Sequence, residues 1–391
     1  MNRGRKSEVR YAASLMIAAS AILPGFTACG KAIPGSAAQG GSPTSVMVSC
    51  TPATVAPGAT SQCSATTQGG SSAVVWAATA GAVSSSGVFT APLSPGQVTV
   101  KATSLESSEV AGTAAITVAY LFAPSRHVVV VMEENQGYSS VVGNTTDWPF
   151  LNTLIGKGAL PTNYYANTHP SIGNYFMLTA GQILTNDDSS TQVWNVDNIA
   201  RRMLSSGVSF KVYAEGITQG YTGGDTGLYV IRHNPFAMLA DVSGNAQVAG
   251  QVMCPFSQFA SDVKSDTLPE FSFIVPNIDD DAHSGTPLQA DTWLQAQIAS
   301  RLSDLQEFQP GGDGLLILDF DEAADSDATN GGGHVAPVLW GPTVKAGYQQ
   351  TSATVYQHQD MLLTIMNALG LSNPPGASAG AQPMGEFFVQ P

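Results

Sequence analysis

Basic residues are scarce in this chain. It contains 15 Lys and Arg against 29 Asp and Glu in 391 residues, and its formal net charge is −14. This excess of negative charge speaks against nucleic acid as a partner, because phosphate backbones attract basic surfaces. Charged residues make up only 11% of the sequence, whereas 43% is hydrophobic. The chain therefore has enough apolar material for a large core and is not a disordered protein.

The sequence also has no comfortable membrane span near its start. The apolar segment Ala12–Leu23 is too short for one, and it follows four basic residues within the first ten. This pattern predicts a secretory signal over residues 1–28. The small residues before Cys29 resemble a bacterial lipoprotein cleavage site, which would make Cys29 a lipidated first residue; ordinary cleavage without lipid is the alternative. We expect an exported protein, periplasmic or at the cell surface, attached to the membrane through Cys29.

Cysteine is rare, with four residues in the whole chain. Cys50 and Cys63 lie on two adjacent candidate strands, so an exported protein is expected to join them in a disulfide. Closing a loop this short contributes roughly 3 kcal/mol to stability. Cys254 is left over, and without a basic neighbour in sequence it is expected to be a buried thiol.

Composition divides the remainder into three parts. Residues 29–44 are rich in Gly, Ala, Ser and Pro and predict a flexible linker. Residues 45–119 contain short β-rich runs broken by turns, which predict a small β-sandwich. The run Ala82–Pro92, downstream of Trp76, resembles bacterial immunoglobulin-like (Ig-like) domains, which would make this part a spacer. From residue 125 to residue 391, strands alternate with helix-like segments, which predicts an α/β domain with a mostly parallel sheet between helices.

Three apolar runs of the α/β part end abruptly in acidic residues. Apolar residues at consecutive positions predict strands that are buried on both faces. Ligands of such sheets bind outside the carboxyl ends of the strands. Carboxylates from three strands at one rim would repel each other unless a cation lies among them. The runs and their polar ends are His127–Met132 with Glu133, Glu134 and Asn135; Phe271–Ile278 with Asp279–His283; and Leu315–Leu318 with Asp319, Asp321 and Glu322.

One serine stands where a nucleophile could attack an anion. Ser171 follows Pro170 in a turn, and the apolar residues after it suit a helix. The free N–H groups and the dipole of a helix N-terminus favour phosphate, and a nearby cation would lower the pKa of the hydroxyl. A helix N-cap is the structural alternative for this serine. Among only six histidines, His169, His283 and His334 border the proposed rim, the last one after three glycines.

At these residues the sequence resembles a bacterial phosphoesterase family that includes acid phosphatases and phospholipases C and is a branch of the alkaline phosphatase superfamily. The resemblance covers about residues 127–370, and its motifs occur in the family's order. The motifs are Met132–Asn135, His169–Ser171 with Asn174 and Tyr175, His233–Phe236, Pro276 and Asn277 with Asp281 and His283, Asp321 with Glu322, and His334.

The resemblance implies a role for each matching position. It implies a metal site of Glu134, Asn135, Asp321 and Glu322, catalytic roles for Ser171, Asn174, His283 and His334, and substrate contacts from His169 and Asp281. Ser171 would attack phosphorus, and Asp281, His283 and His334 would line the opposite side, where they hold substrate or a second ion. Oxygen ligands favour Ca²⁺, Mg²⁺ or Mn²⁺ over Zn²⁺. His358 matches a family position without an assigned role, and Gly173, Asp280 and Phe320 depart from the family's usual residues.

The expected function is a metal-dependent phosphoric ester hydrolase, an acid-phosphatase-like phosphomonoesterase with a phosphoserine intermediate. A phospholipase C that acts on phospholipid headgroups is the first alternative. A serine acyl hydrolase and an inactive surface-binding protein are the others. The acyl hydrolase is disfavoured because a nucleophile elbow needs Gly-x-Ser-x-Gly, and His169 occupies the first glycine position.

Overall fold

The computed structural model describes residues 42–92, 95–119 and 122–389. The predicted signal segment 1–28, Cys29 and nearly all of the predicted linker lie outside these residues. No helix in the described ranges has both the length and the apolar character that crossing a bilayer requires.

The first described part consists of two four-stranded sheets. Side chains alternate between buried and exposed along its long strands, as expected for sheets that pack on one face. Cys50 and Cys63 pair across neighbouring strands and are joined by a disulfide. The strand orders are β1-β3-β6-β5 and β2-β8-β7-β4, where the strands are β1 (Ser45–Thr51), β2 (Thr54–Val55), β3 (Thr60–Gln68), β4 (Val74–Ala78), β5 (Ala82–Val83), β6 (Val88–Thr90), β7 (Gly96–Ser104) and β8 (Ala111–Val118).

The second part is built on an eight-stranded sheet in the order β13-β12-β14-β9-β15-β16-β10-β17. The first five strands of this order are parallel, and β16 runs antiparallel to β15. This confirms the predicted α/β class with a mostly parallel sheet. The eight strands are β9 (His127–Glu133), β10 (Ala159–Leu160), β12 (Phe210–Ala214), β13 (Met253–Pro255), β14 (Phe271–Val275), β15 (Gly314–Phe320), β16 (Val338–Trp340) and β17 (Tyr348–Gln349). Two further strands, β11 (Tyr164–Tyr165) and β18 (Tyr356–Gln357), form a separate parallel pair.

Helices occupy the connections between these strands. The helical segment that follows β14 starts at Pro287, which is suited to a first helical turn, and the Thr286 hydroxyl caps it. It then passes through a π-helical segment, Leu294–Ala299. The α-helices are α1 (Tyr138–Val141), α2 (Pro149–Ile155), α3 (Ile172–Ala180), α4 (Ile199–Ser206), α5 (Ala240–Ser243), α6 (Ala246–Val252), α7 (Ser257–Lys264), α8 (Pro287–Trp293), α9 (Ser300–Leu302) and α10 (His358–Ala368); short 3₁₀ turns include Ile231–His233 and Pro235–Met238.

The three acid-tipped strands are immediate neighbours in the order β14-β9-β15, and all three are parallel. Their carboxyl ends therefore meet at one edge of the sheet, as predicted. One boundary differs from the prediction: β15 continues through Asp319 and Phe320 instead of ending at Leu318. Asp319 can stay in the buried strand because the Tyr164 hydroxyl donates to its Oδ2 at 3.0 Å and the His358 ring lies 3.3 Å from the same atom.

Candidate active site

Four polar side chains meet where β9 and β15 end. Glu134, Asp321 and Glu322 are buried, and Asn135 is half-buried beside them. Asn135 has a φ of 59°, a conformation that asparagine tolerates better than most residues. In this conformation its backbone N–H donates to Asp321 Oδ1 (3.0 Å) and its side-chain amide donates to Glu134 Oε2 (3.2 Å). The structure thus brings together all four predicted metal ligands.

Ser171 lies at the start of α3, next to this group. Its hydroxyl donates to Glu134 Oε2 (3.0 Å) and lies 3.4 Å from Glu322 Oε1. The side chain makes no capping hydrogen bond to the helix, so the structural alternative of an N-cap does not account for it. Every residue of α3 is buried, which fixes the position of the serine. The hydroxyl therefore points at the carboxylates from a rigid element.

Asn174, predicted as catalytic, contacts the turn that precedes the serine. Its Oδ1 accepts hydrogen bonds from the N–H groups of Asn167 (2.9 Å) and Thr168 (3.2 Å). Its Nδ2 donates to the Thr168 carbonyl at 2.8 Å and lies 3.5 Å from Glu322 Oε2. These contacts favour a role in shaping the turn that carries Ser171.

His233 is a member of the site to which sequence reasoning gave no role. The side chain is 1% exposed, with Nε2 3.2 Å from Glu134 Oε1 and Nδ1 2.9 Å from Asp281 Oδ2. The Tyr175 ring stacks on it, and the Tyr175 hydroxyl donates to Glu134. The only available signal was the match of His233–Phe236 to the family motif.

Asp281, which was predicted to contact the substrate, is fully buried behind His233. Its Oδ2 lies 2.9 Å from His233 Nδ1, and its Oδ1 accepts from the backbone N–H of His283. Both carboxylate oxygens of Asp281 thus contact these two histidines, which favours a role in orienting them. His283 itself is exposed, and its ring centroid lies 5.5 Å from that of His233.

Two groups of side chains could each hold a metal ion. The first contains Glu134, His233 and His283, and the second contains His169, Glu322 and Asp325. In the second group His169 Nδ1 lies 2.9 Å from Glu322 Oε2, while Nε2 lies 3.0 Å from the Asp327 carbonyl. The two groups flank Ser171, because its hydroxyl contacts one glutamate of each.

His334 and His358 are placed differently from these histidines. His334 stacks between Tyr138 and Tyr165, with Nε2 3.0 Å from the Thr162 carbonyl. None of its contacts within the described ranges reaches the metal-ligand positions, so the structure does not bring this predicted catalytic residue into the group. His358 is fully buried, and its Nε2 lies 2.8 Å from the Asp321 carbonyl. His358 therefore contacts the backbone of Asp321 and helps to hold that residue in position.

Burial and mutual repulsion perturb the carboxyls of the site. Burial, followed by the charges of Asp321 and Asp281, raises the pKa of Glu134 well above its usual range. Burial, followed by the charge of Asp321, raises the pKa of Glu322 to about 9. Burial also raises the pKa of Glu133, whose two carboxyl oxygens have no hydrogen-bond partner in the described structure. A cation among these groups would remove the repulsion and favour their ionised forms.

The residues present fit a divalent cation. Asp321 Oδ2 and His233 Nε2 are buried without a hydrogen-bond partner in the described residues, which suits atoms that coordinate an ion. Oxygen donors alone favoured Ca²⁺, Mg²⁺ or Mn²⁺. His233 and His283 add imidazole nitrogens, which zinc binds well, so the donor set no longer disfavours Zn²⁺.

Comparison with known proteins shows the family of this chain. The phosphoesterase family matches residues 144–372, a span that contains Ser171 and Glu322 but begins after Glu134. A phosphatidylinositol-3-phosphatase of Mycobacterium tuberculosis is 31% identical over 266 residues, which are 67% of this chain and 82% of that protein.

Acid phosphatases are also similar to this chain. A phosphate-repressible acid phosphatase of Penicillium chrysogenum is 30% identical over 230 residues, 56% of this chain and 54% of that protein. The chain thus spans about half the length of this relative. A solved protein of the alkaline phosphatase superfamily from Vibrio parahaemolyticus matches 68% of this chain and 72% of its own, with 12% identity and a TM-score of 0.45. That likeness is too weak to assign a family, so the assignment rests on the sequence matches. The chain belongs to the phosphoesterase family, and it is a hydrolase that acts on phosphoric ester bonds.

Proposed function

We propose that this chain is a phosphomonoesterase of the acid phosphatase type, dependent on a divalent metal ion, with Ser171 as its nucleophile. The observation that carries the proposal is the contact of the Ser171 hydroxyl with Glu134 and Glu322 at the start of a buried helix. The relatives named above are phosphatases, which supports a monoester as the substrate class.

The mechanism follows from the positions of the protein's own groups. Glu134, Asn135, Asp321 and Glu322 would hold the ion, with His233, His283 and His169 as further donors. When bound, the ion supplies positive charge that favours an ionised serine and a phosphoryl group beside it. Glu134 Oε2, 3.0 Å from the Ser171 oxygen, is the nearer of the two carboxylate acceptors for the hydroxyl proton.

The reaction would proceed in two displacements. Ser171 Oγ forms a bond to phosphorus as the bond to the substrate alcohol breaks, and water then cleaves the phosphoserine to release phosphate. The leaving alkoxide takes its proton from water at the exposed side of the site, where His283 lies. This site does not suit a serine acyl hydrolase, since no histidine hydrogen-bonds the Ser171 hydroxyl among the described residues.

The substrate beyond the phosphomonoester is a finer proposal. The relative from Mycobacterium tuberculosis is named for a phosphoinositide monoester, so we include a lipid monoester among the candidates. Export, proposed from residues 1–28 alone, would expose the enzyme to phosphate esters outside the cytoplasm.

The test is hydrolysis of p-nitrophenyl phosphate by the full chain and by two serine variants. Ser171→Ala should abolish turnover while leaving the thermal unfolding midpoint unchanged. Ser205→Ala, an exposed serine of α4, is the matched control and should retain full activity. Chelation should abolish activity, and added divalent ion should restore it. Undiminished turnover by Ser171→Ala would remove Ser171 as the nucleophile.

A substrate panel separates the monoester from the diester function. We expect hydrolysis of p-nitrophenyl phosphate and of phosphatidylinositol 3-phosphate in vesicles to exceed that of bis(p-nitrophenyl) phosphate. Release of diacylglycerol from phosphatidylcholine without monoester hydrolysis would instead establish the phospholipase C alternative.

A further inference from the structure

The loop that follows α3 places the Asp188 carboxylate at the start of the same helix. Asp188 Oδ1 accepts the backbone N–H of Ile172 at 3.2 Å, directly after Ser171. Its other oxygen, Oδ2, lies 3.9 Å from Arg232 Nε. The Asp188 side chain is 35% exposed, so water can reach it and the carboxylate can move out into solvent.

The two groups that hold Asp188 are the kinds that bind phosphate in other proteins. A backbone N–H at a helix N-terminus and a guanidinium both donate to phosphoryl oxygens. A phosphorus atom about to react must lie roughly 3–3.5 Å from the Ser171 oxygen. The Ile172 N–H belongs to the residue directly after Ser171, and Asp188 is its present acceptor.

Arg232 supplies a positive charge to a site whose other charged side chains are mainly carboxylates. Among the lysines and arginines of the described ranges, it alone contacts side chains of this site, with one guanidinium nitrogen 3.3 Å from His283 Nε2. Among the carboxylates that Ser171 and Asn135 contact or adjoin, Asp321 Oδ2 is buried without a partner in the described structure.

We propose that the Asp188 carboxylate is a built-in substitute for the substrate phosphate. In the free protein it keeps the Ile172 N–H and Arg232 paired, and the arriving phosphoryl group displaces it and takes over both donors. The proposal rests on the proposed function, since it assumes that Ser171 attacks phosphorus. It assigns Arg232 and the Ile172 N–H to substrate binding and makes Asp188 a competitor that lowers affinity for anions.

The substrate class follows from this exchange. A monoester presents three unsubstituted phosphoryl oxygens, so it can satisfy the N–H, the guanidinium and the metal-ligand side together. A diester has one such oxygen fewer. The subsite therefore favours a terminal phosphate, whether on a soluble alcohol or on a lipid headgroup.

Inorganic phosphate is the probe for the test. Its inhibition constant against p-nitrophenyl phosphate is measured for the metal-loaded full chain and for four variants. Asp188→Asn keeps an oxygen for the Ile172 N–H but removes the charge, and phosphate should bind about tenfold more tightly, with a parallel fall in KM. Arg232→Met should weaken phosphate about tenfold to a hundredfold. Asp187→Asn, the exposed neighbouring acid, is the matched control and should match the parent chain.

The remaining variant distinguishes competition from a structural cap. Asp188→Ala removes both the charge and the cap, so the unfolding midpoint should fall while phosphate still binds more tightly. Unchanged or weaker phosphate binding by Asp188→Asn would overturn the proposal and leave the phosphatase function intact. Calorimetric titration of phosphate into Ser171→Ala protein gives the same comparison without turnover. Loss of the proposed function would instead appear as absent hydrolysis by the parent chain.

Discussion

His233 has carboxylates at both ring nitrogens, and this limits where its proton can be. Burial lowers the pKa of His233 to about 3, so the ring is neutral and carries a single N–H. If Nδ1–H donates to Asp281, then Nε2 presents a lone pair to Glu134 Oε1 at 3.2 Å. Two acceptors at that distance repel each other unless a cation or a proton lies between them. The pair of His233 and Asp281 thus has the form of a metal-ligating histidine with its orienting carboxylate.

Asp281→Asn tests this arrangement. An asparagine must turn its NH₂ group toward either the His233 ring or the His283 N–H, so one donor would meet another. We expect a loss of about 10-fold to 100-fold in metal affinity or kcat/KM, measured by metal-content analysis and steady-state kinetics. Asp280→Asn is the control, since it changes an adjacent acid to the residue common in the family. Equal losses in the two variants would contradict an orienting role for Asp281.

At the scale of elements, the start of α3 is packed too tightly for a side chain at Gly173. A Cβ there would lie 2.4 Å from Asn186 Oδ1 and 2.5 Å from Thr168 Cγ2. Alanine gains about 1 kcal/mol of helix propensity over glycine, but overpacking costs about 1–3 kcal/mol. Gly173→Ala should therefore lower the free energy of unfolding and reduce kcat, because Thr168 belongs to the turn that carries Ser171.

Gly250 provides the matched control for that substitution. It lies inside α6, and a Cβ there meets no atom within 4 Å. Gly250→Ala should accordingly raise the free energy of unfolding by up to about 1 kcal/mol without changing kcat. Denaturant unfolding and p-nitrophenyl phosphate hydrolysis measure both effects. If Gly173→Ala also raised the free energy of unfolding, the turn that contains Thr168 would have moved to accommodate the extra methyl group.

The sequence predicts well those strands and helices that a local pattern of apolar residues defines. The consecutive apolar residues of β9 and β15 identify buried strands, and their acidic ends follow directly at Glu134 and Asp321. His233, Asp188 and Arg232 lie on a short 3₁₀ turn or an irregular loop, where no periodicity relates the sequence to position. Glycines before His334 indicated a close backbone approach, but they could not reveal that its ring stacks on two tyrosines.

The whole molecule has two separate hydrophobic cores in its described part. The smaller core includes Phe89, Val100 and Ile116 of the two four-stranded sheets, and the larger one fills the α/β part. All of the proposed site residues belong to the α/β part. Since the cores do not merge, damage to the smaller core should leave the geometry of the site unchanged.

Replacement of both cysteines of the disulfide, Cys50→Ala with Cys63→Ala, tests this independence. The bond closes a loop between residues 13 apart, so its loss should destabilise the β-sheet part by about 3 kcal/mol. Calorimetry should then show a lower unfolding transition for that part, with kcat at 25 °C unchanged. Cys254→Ala is the control, because this buried thiol lies in the larger core and its truncation should lower the other transition. A fall in kcat for the double variant, with the α/β transition still in place, would mean that the sheets support the active site.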